Sequence, residues 1–221
     1  MKRSYHQFCG VARALDLVGE RWTLLIARDL LLGPRRYGDL LAGLPGITTN
    51  LLALRLKELR ANGLVQRTEQ RGVVGYELTA LGRELEPILM ALGRFGFHFM
   101  QGPKKDDKLD VGWALLSSKR RYTGAAEATI ELVFGKRHFQ VRARKDYVDV
   151  KEGTPWEAEA RVFVTPEAFR GILYGGESSD EHEKSGRLRS EGSRDAWQRY
   201  QAAFGMRVGK HGAKPARNPR A

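Results

Sequence analysis

Between residues 46 and 67 the chain reads GITTNLLALRLKELRANGLVQR, and its polar side chains suit one kind of chemistry, hydrogen bonding and charge pairing from one face of a helix. Leu52, Leu56 and Leu59 recur every three to four positions and mark a buried stripe, and Gly63 stops the helix just past its last turn. The opposite face carries Thr49, Asn50, Ala53, Leu54, Lys57 and Arg60, with Thr48 as N-cap. An asparagine amide can pair with two edge atoms of adenine, a lysine reaches guanine or phosphate, and an apolar tip such as Leu54 suits the methyl of thymine. For each residue alone, a solvated polar face is an equal alternative. Together they form a face for the major groove of double-stranded DNA.

The elements that must position this face are legible around it. Helical periodicity runs from about Cys9 to Val18, again from Trp22 to Leu32, and, after GPRR, through a short helix from Tyr37 to Leu44. Beyond Gly63, LVQRTEQ and GYELT read as two short strands joined by the Gly-containing turn RGVVG. Helix, turn, helix and hairpin make a winged helix, whose hairpin reaches the neighbouring backbone or minor groove while the helix fills the major one. Arg67 and Arg71 on the hairpin, with Arg35 and Arg36 ahead of the short helix, are placed to neutralise phosphates.

Bulk properties agree. The 221 residues include 38 Lys and Arg against 26 Asp and Glu, a formal charge of +12. Such a balance draws a protein to polyanions, nucleic acid first and anionic membrane second. The halves do not differ in this respect: residues 1 to 108 hold 17 basic and 11 acidic side chains, the remainder 21 and 15. No apolar run approaches the roughly 18 residues of a membrane span, and MKRSYHQFCG lacks the apolar stretch of a signal peptide. One cysteine excludes an internal disulfide framework, so a reducing cytoplasm is expected.

Residues 9 to 96 resemble the HxlR family, a branch of the MarR-like winged-helix transcriptional regulators. The resemblance rests on Cys9, VGERWTLLIARDLLLGPRRYGDL at 18 to 40, LPGITTNLLALRLKELRANGLVQR at 44 to 67 and YELTALGRELEPIL at 76 to 89. It implies a homodimer on a palindromic operator, with the first and last helices of the domain forming the dimer interface. Gly10 replaces the proline usual after the cysteine, and the wing lacks the family's common proline pair, so wing contacts transfer least well. Independently of the resemblance, Leu81, Leu85, Ile88, Leu92, Phe95 and Phe99 form an apolar stripe along a helix expected over 79 to 99, bent near Pro87. A stripe of this kind serves a shared interface or its own core. Cys9 is a candidate redox sensor: a helix start favours its thiolate, and some members of the family sense oxidants or electrophiles through a cysteine here. A small buried thiol without reactivity is the alternative.

After QGPKKDDKLD the pattern changes. The domain boundaries expected are 1–100 for the winged helix, 101–108 for a linker, 109–206 for a second domain and 207–221 for a basic, disordered tail. Alternation in EATIELVF, HFQVRAR, YVDVKEG and EAEARVFVT predicts an antiparallel meander. Helices follow, capped by Thr165 with Pro166, by Ser178 and by Ser193. The fold class is therefore α+β, a winged helix followed by an antiparallel sheet covered by helices. The stretch from FVTPEAFRGILYGG to SRDAWQRYQAAF resembles the sterol carrier protein-like domain, a fold that encloses an apolar tunnel for lipid-like ligands. By that resemblance Trp113, Phe163, Phe169, Leu173, Trp197 and Phe204 are candidates to line a cavity; packing in an ordinary core is the alternative for each.

Catalytic and metal readings find little support. His6, His98, His138, His182 and His211 are scattered, HEK at 182 to 184 lacks the second histidine of a zinc helix, and neither GxSxG nor a P-loop is present. No cofactor is expected. The sequence thus points to a homodimeric DNA-binding regulator, more in the manner of a repressor, whose second domain senses a small apolar effector. A lipid or metabolite carrier with an appended DNA module is the alternative.

Overall fold

The computed structural model describes residues 4–70, 72–124, 126–153 and 157–207. The chain divides after Leu109 into two compact units.

The first unit is built from helices α1 (Gly10–Val18), α2 (Thr23–Leu30), α3 (Tyr37–Gly43) and α4 (Thr49–Ala61), strands β1 (Val65–Gln70) and β2 (Val73–Leu78), and helices α5 (Ala80–Arg83) and α6 (Leu85–Phe97). Thr48 caps α4, its hydroxyl accepting from the Leu51 amide at 3.3 Å, and Gly63 leaves the helix at φ +71°, a conformation that costs glycine little. Leu52, Leu56 and Leu59 are buried together with Ile26, Leu30 and Leu40 of α2 and α3. The hairpin pairs β1 and β2 antiparallel from Val65 with Leu78 to Gln70 with Val73. The second strand therefore starts two residues earlier than GYELT predicts, because the β-branched pair Val73 and Val74 extends the ladder instead of forming the turn.

The helix expected over 79–99 is two helices. The break falls at Glu84, not at Pro87. Pro87 sits in the first turn of α6, where a missing N–H is harmless, whereas a continuous helix would drive its ring against the carbonyl four residues back, at Arg83.

The second unit opens with α7 (Val111–Ser118), which periodicity in the sequence had not singled out. Asp110 caps it, accepting from the Gly112 amide at 2.7 Å. Strands β3 (Ala128–Phe134), β4 (Arg137–Arg144), β5 (Tyr147–Glu152), β6 (Ala160–Val164) and β7 (Leu188–Gly192) form one sheet in the order β5-β4-β3-β6-β7. Helices α8 (Pro166–Tyr174), α9 (Ser179–Lys184) and α10 (Arg194–Ala203) start at caps Thr165, Ser178 and Ser193, each hydroxyl accepting a backbone N–H.

The sheet corrects the expected antiparallel meander. Strands β3, β4 and β5 form one, but β6 crosses back and pairs parallel with β3, Ile130 opposite Ala160 and Leu132 opposite Val162. Alternation along a strand assigns its faces but not its neighbours, and β3, buried along its whole length, takes the centre with partners on both sides. One face presents Ile130, Leu132, Phe139, Val141, Val150, Val162 and Leu188, all buried, and α10 packs against β3, β6 and β7.

The other face is polar. At its centre Glu131, 1% exposed, takes the Nδ1 of His138 at 2.6 Å and the Nε of Arg161 at 2.5 Å. Burial alone would raise its pKa, but the bonds from His138 and Arg161 outweigh burial and hold the carboxyl below its ordinary value. A carboxylate with a depressed folded pKa contributes stability above about pH 4.5, its ordinary value, and loses that contribution as pH falls through the depressed one. Glu131→Gln is therefore expected to cost about 1–3 kcal/mol at pH 7, less because Arg161 is half exposed and keeps its hydration. The loss should shrink as acid unfolding is approached, and urea titrations at pH 7 and pH 3.5 measure it.

Candidate nucleic-acid interface and ligand core

Helix α4 presents the predicted face. Thr48, Thr49, Asn50, Ala53, Leu54, Lys57 and Arg60 are all exposed, opposite the buried leucines. Its start is fixed from outside the helix, since the Tyr37 hydroxyl donates to the Thr49 carbonyl at 2.6 Å. Arg55, on the same helix, is a structural cation: it bonds Glu20 at 2.8 Å and Glu58 at 2.6 Å. By contrast, no ion pair is seen for Lys57, Arg60 or Arg67 among the described residues. These three line one open hollow of about 450 Å³ with Ala61, Val65 and Gln66, where the end of α4 meets the start of β1. The structure thus separates a positive foot, Lys57, Arg60 and Arg67, from a neutral hydrogen-bonding tip, Thr49 and Asn50.

Arg35 and Arg36 have different surroundings. The Arg35 backbone exchanges two hydrogen bonds with Tyr76 of β2, at 2.9 and 2.8 Å, which anchors the loop before α3 to the wing. Arg36 is exposed, and its N–H donates to Asp39 at 3.3 Å. Arg71 lies outside the described residues, as does the tail from residue 208.

Cys9 is the N-cap of α1 and is exposed, so the buried alternative does not hold for it. The Ala12 N–H foremost, then that of Val11, hold its thiol below the usual value. Iodoacetamide should therefore alkylate Cys9 faster at pH 7 than a free cysteine, with a rate midpoint below the ordinary thiol value; a midpoint at or above that value would remove its electrostatic activation.

The apolar stripe of the last helices divides. Leu85 is 7% exposed and belongs to the unit's own core, together with Leu89. Leu81, Ile88, Leu92, Phe95 and Phe99 stand out from it, Leu92 at 49% and Phe95 at 63%, and the rings of Phe95 and Phe99 meet edge to face at 5.2 Å. Helix α1 adds exposed Val11 and Leu15.

In the second unit, Phe169, Leu173, Trp197 and Phe204 are buried, and Trp113 of α7 is half-buried. Phe169 meets Phe134 at 5.3 Å, whereas Trp197, Tyr200, Phe204 and Tyr122 form a chain of ring contacts at 5.3, 4.6 and 5.4 Å. Phe163 does not join them. It shares a sheet face with Arg161, opposite to Val162 and Val164, and lies under the Arg189 guanidinium at 4.2 Å. Period-two alternation around FVT could have shown this, since a residue flanked by two inward valines must point outward. Tyr200, fully buried in that chain, follows Trp197 by one helical turn and was equally available to periodicity, which singled out only its neighbours.

Comparison with known proteins places the first unit. Residues 17–104 match the model of the HxlR-like helix-turn-helix family. The HTH-type transcriptional regulator sll1512 of Synechocystis sp. is 38% identical over 96 residues, which span 42% of this chain and 71% of that protein. YkvN of Bacillus subtilis, also named an HTH-type transcriptional regulator, is 35% identical over 106 residues, 47% of this chain and 90% of its own length. Among solved structures, the reduced form of the transcriptional regulator YodB from B. subtilis is 30% identical and covers 44% of this chain and 100% of its own, with a TM-score of 0.38. Among the described residues, no helix is long and apolar enough to cross a membrane. The identity and coverage of the two curated relatives show that this chain belongs to the HxlR-like helix-turn-helix family.

Proposed function

We propose that this protein is a sequence-specific, DNA-binding transcriptional regulator, a repressor, that acts as a homodimer on a palindromic operator. The observation that carries the reading is the face of α4: a neutral, hydrogen-bonding tip with three cations at its foot, one of them from the hairpin, that form no ion pair among the described residues. Family membership supports DNA binding, and the relatives' names support transcriptional regulation. Dimerisation is supported by the exposed apolar row on α5 and α6, since side chains of that size gain about 1.5–3 kcal/mol each on full burial. The second unit, on this reading, is a sterol carrier protein-like domain that binds a small apolar effector in the core between its sheet and helices, with Phe169, Leu173, Trp197 and Phe204 around it.

The test separates the tip from the foot. Asn50→Ala is expected to cost roughly 1–3 kcal/mol on the operator and to relax base preference at one position per half-site, with the salt dependence unchanged. Arg67→Ala should weaken all duplexes alike and lower the slope of log K against log salt by about 1 per site. Binding isotherms on operator and scrambled duplexes, at several salt concentrations, measure both. Uniform loss on every sequence for Asn50→Ala would remove its base-reading role.

A further inference from the structure

Three buried polar groups on α10 have no hydrogen-bond partner among the described residues: Trp197 Nε1, the Tyr200 hydroxyl and Gln201 Nε2. Their residues are 3%, 0% and 1% exposed. Positions 197, 200 and 201 follow the i, i+3, i+4 spacing of one helix face, the face turned toward the sheet. The outward side of the same helix is different. There Arg199 bonds Asp195 at 2.8 Å and Glu159 at 2.6 Å. Arg199 is thus matched on the outward side, whereas the three inward groups have no partner among the described residues, against the general rule that buried polar groups are paired.

The unmatched groups are donors. An indole N–H can only donate. The Tyr200 hydroxyl keeps its proton, because burial foremost and the nearby Tyr174 in addition push its pKa far above the usual phenol value. The Tyr200 ring lies between those of Trp197, stacked at 5.3 Å, and Phe204, tilted at 4.6 Å. What completes the cluster must then be an acceptor. Arg121 donates to the Phe204 carbonyl at 3.3 Å, one turn beyond Tyr200, and no cation among the described residues bonds the three groups themselves. An ionised carboxylate among three neutral donors in this core would lose its hydration without a counter-charge, so the acceptor is neutral.

We propose that the inward face of α10 is a head-group site for a small molecule with an apolar body and one neutral oxygen acceptor, such as a ketone or ester carbonyl, held by Trp197, Tyr200 and Gln201. This rests on the reading of the second unit as a ligand-binding domain and narrows it to one ligand chemistry. Purely hydrocarbon ligands leave the donors unmatched, and carboxylates add a desolvation penalty.

The full-length protein is titrated with 2-octanone and with n-octane, and binding is followed by intrinsic fluorescence and by the melting temperature of the second unit. Wild-type protein should bind 2-octanone at least fivefold more tightly than Tyr200→Phe does, whereas n-octane should bind both alike. Without ligand, Tyr200→Phe should melt at or above the wild-type temperature, since it removes only an unmatched hydroxyl. A drop in unliganded melting temperature would show that the hydroxyl already has a partner and would overturn the proposal. Equal 2-octanone affinity in both proteins would also overturn it, while leaving an apolar site intact. Binding of neither probe would overturn the head-group site and the ligand-binding reading together. If Tyr200→Phe does not fold, Gln201→Met carries the same comparison.

Discussion

Leu92→Glu is expected to turn the proposed dimer into folded monomers and to lower affinity for its operator by a factor of about 10²–10⁴. Leu92 lies mid-way along α6, half exposed between Ile88 and Phe95, and its neighbours on that face are equally uncovered. If two copies bury this row against each other, a carboxylate at its centre is buried twice in a two-fold interface without a partner, and an uncompensated buried charge costs several kcal/mol. On the proposed reading of a dimer on a palindromic operator, binding falls because two such helices must address half-sites roughly 34 Å apart, one turn of duplex. A monomer keeps only the affinity of one. Light scattering gives the mass, circular dichroism confirms the fold, and operator titration gives the affinity. A folded variant that remains dimeric would place the interface on another surface.

Gly82→Ala should unfold the first unit more effectively than any surface change. The amide of Gly82 donates to the Thr79 cap at 3.0 Å, and a Cβ there would stand 2.0 Å from the Leu64 carbonyl oxygen and 2.9 Å from its carbon. That carbonyl cannot retreat easily. It accepts the Thr79 amide at 3.1 Å, and the Thr79 hydroxyl donates to the neighbouring Gly63 carbonyl at 2.6 Å. A clash with anchored backbone exceeds ordinary overpacking, so a loss of about 3 kcal/mol or more is expected, with a fall in melting temperature of about 10 °C or more. Because Leu64 joins the end of α4 to β1, a partly folded variant should also lose DNA binding by misplacing the wing. Calorimetry checks the first effect, and a wild-type melting temperature would show that the junction opens without cost.

The same junction shows what could be read from the order of residues and what could not. Leucines every three to four positions, a threonine cap and a terminal glycine specify α4 and its two faces locally, so the outward set from Thr48 to Lys57 followed from the sequence alone. Charge type was equally plain, but pairing was not: Arg55 and Arg60 look alike in the sequence, and only the fold brings Glu20, 35 positions before Arg55, within 2.8 Å of it. The break at Glu84 shows the limit of periodicity, because Pro87 acts on the turn before it. In the second unit, alternation marked all four strands of the expected meander, and hydroxyl caps marked three helices, since both signals are local. The parallel pairing of β6 with β3 is a contact between distant segments that no local pattern encodes. Phe163 and Phe169 are both large and apolar, yet sheet direction and helix packing send them to different faces. The unmatched donors of α10 depend on tertiary structure most of all. Tryptophan, tyrosine and glutamine are ordinary helix residues until packing against the sheet removes water from all three.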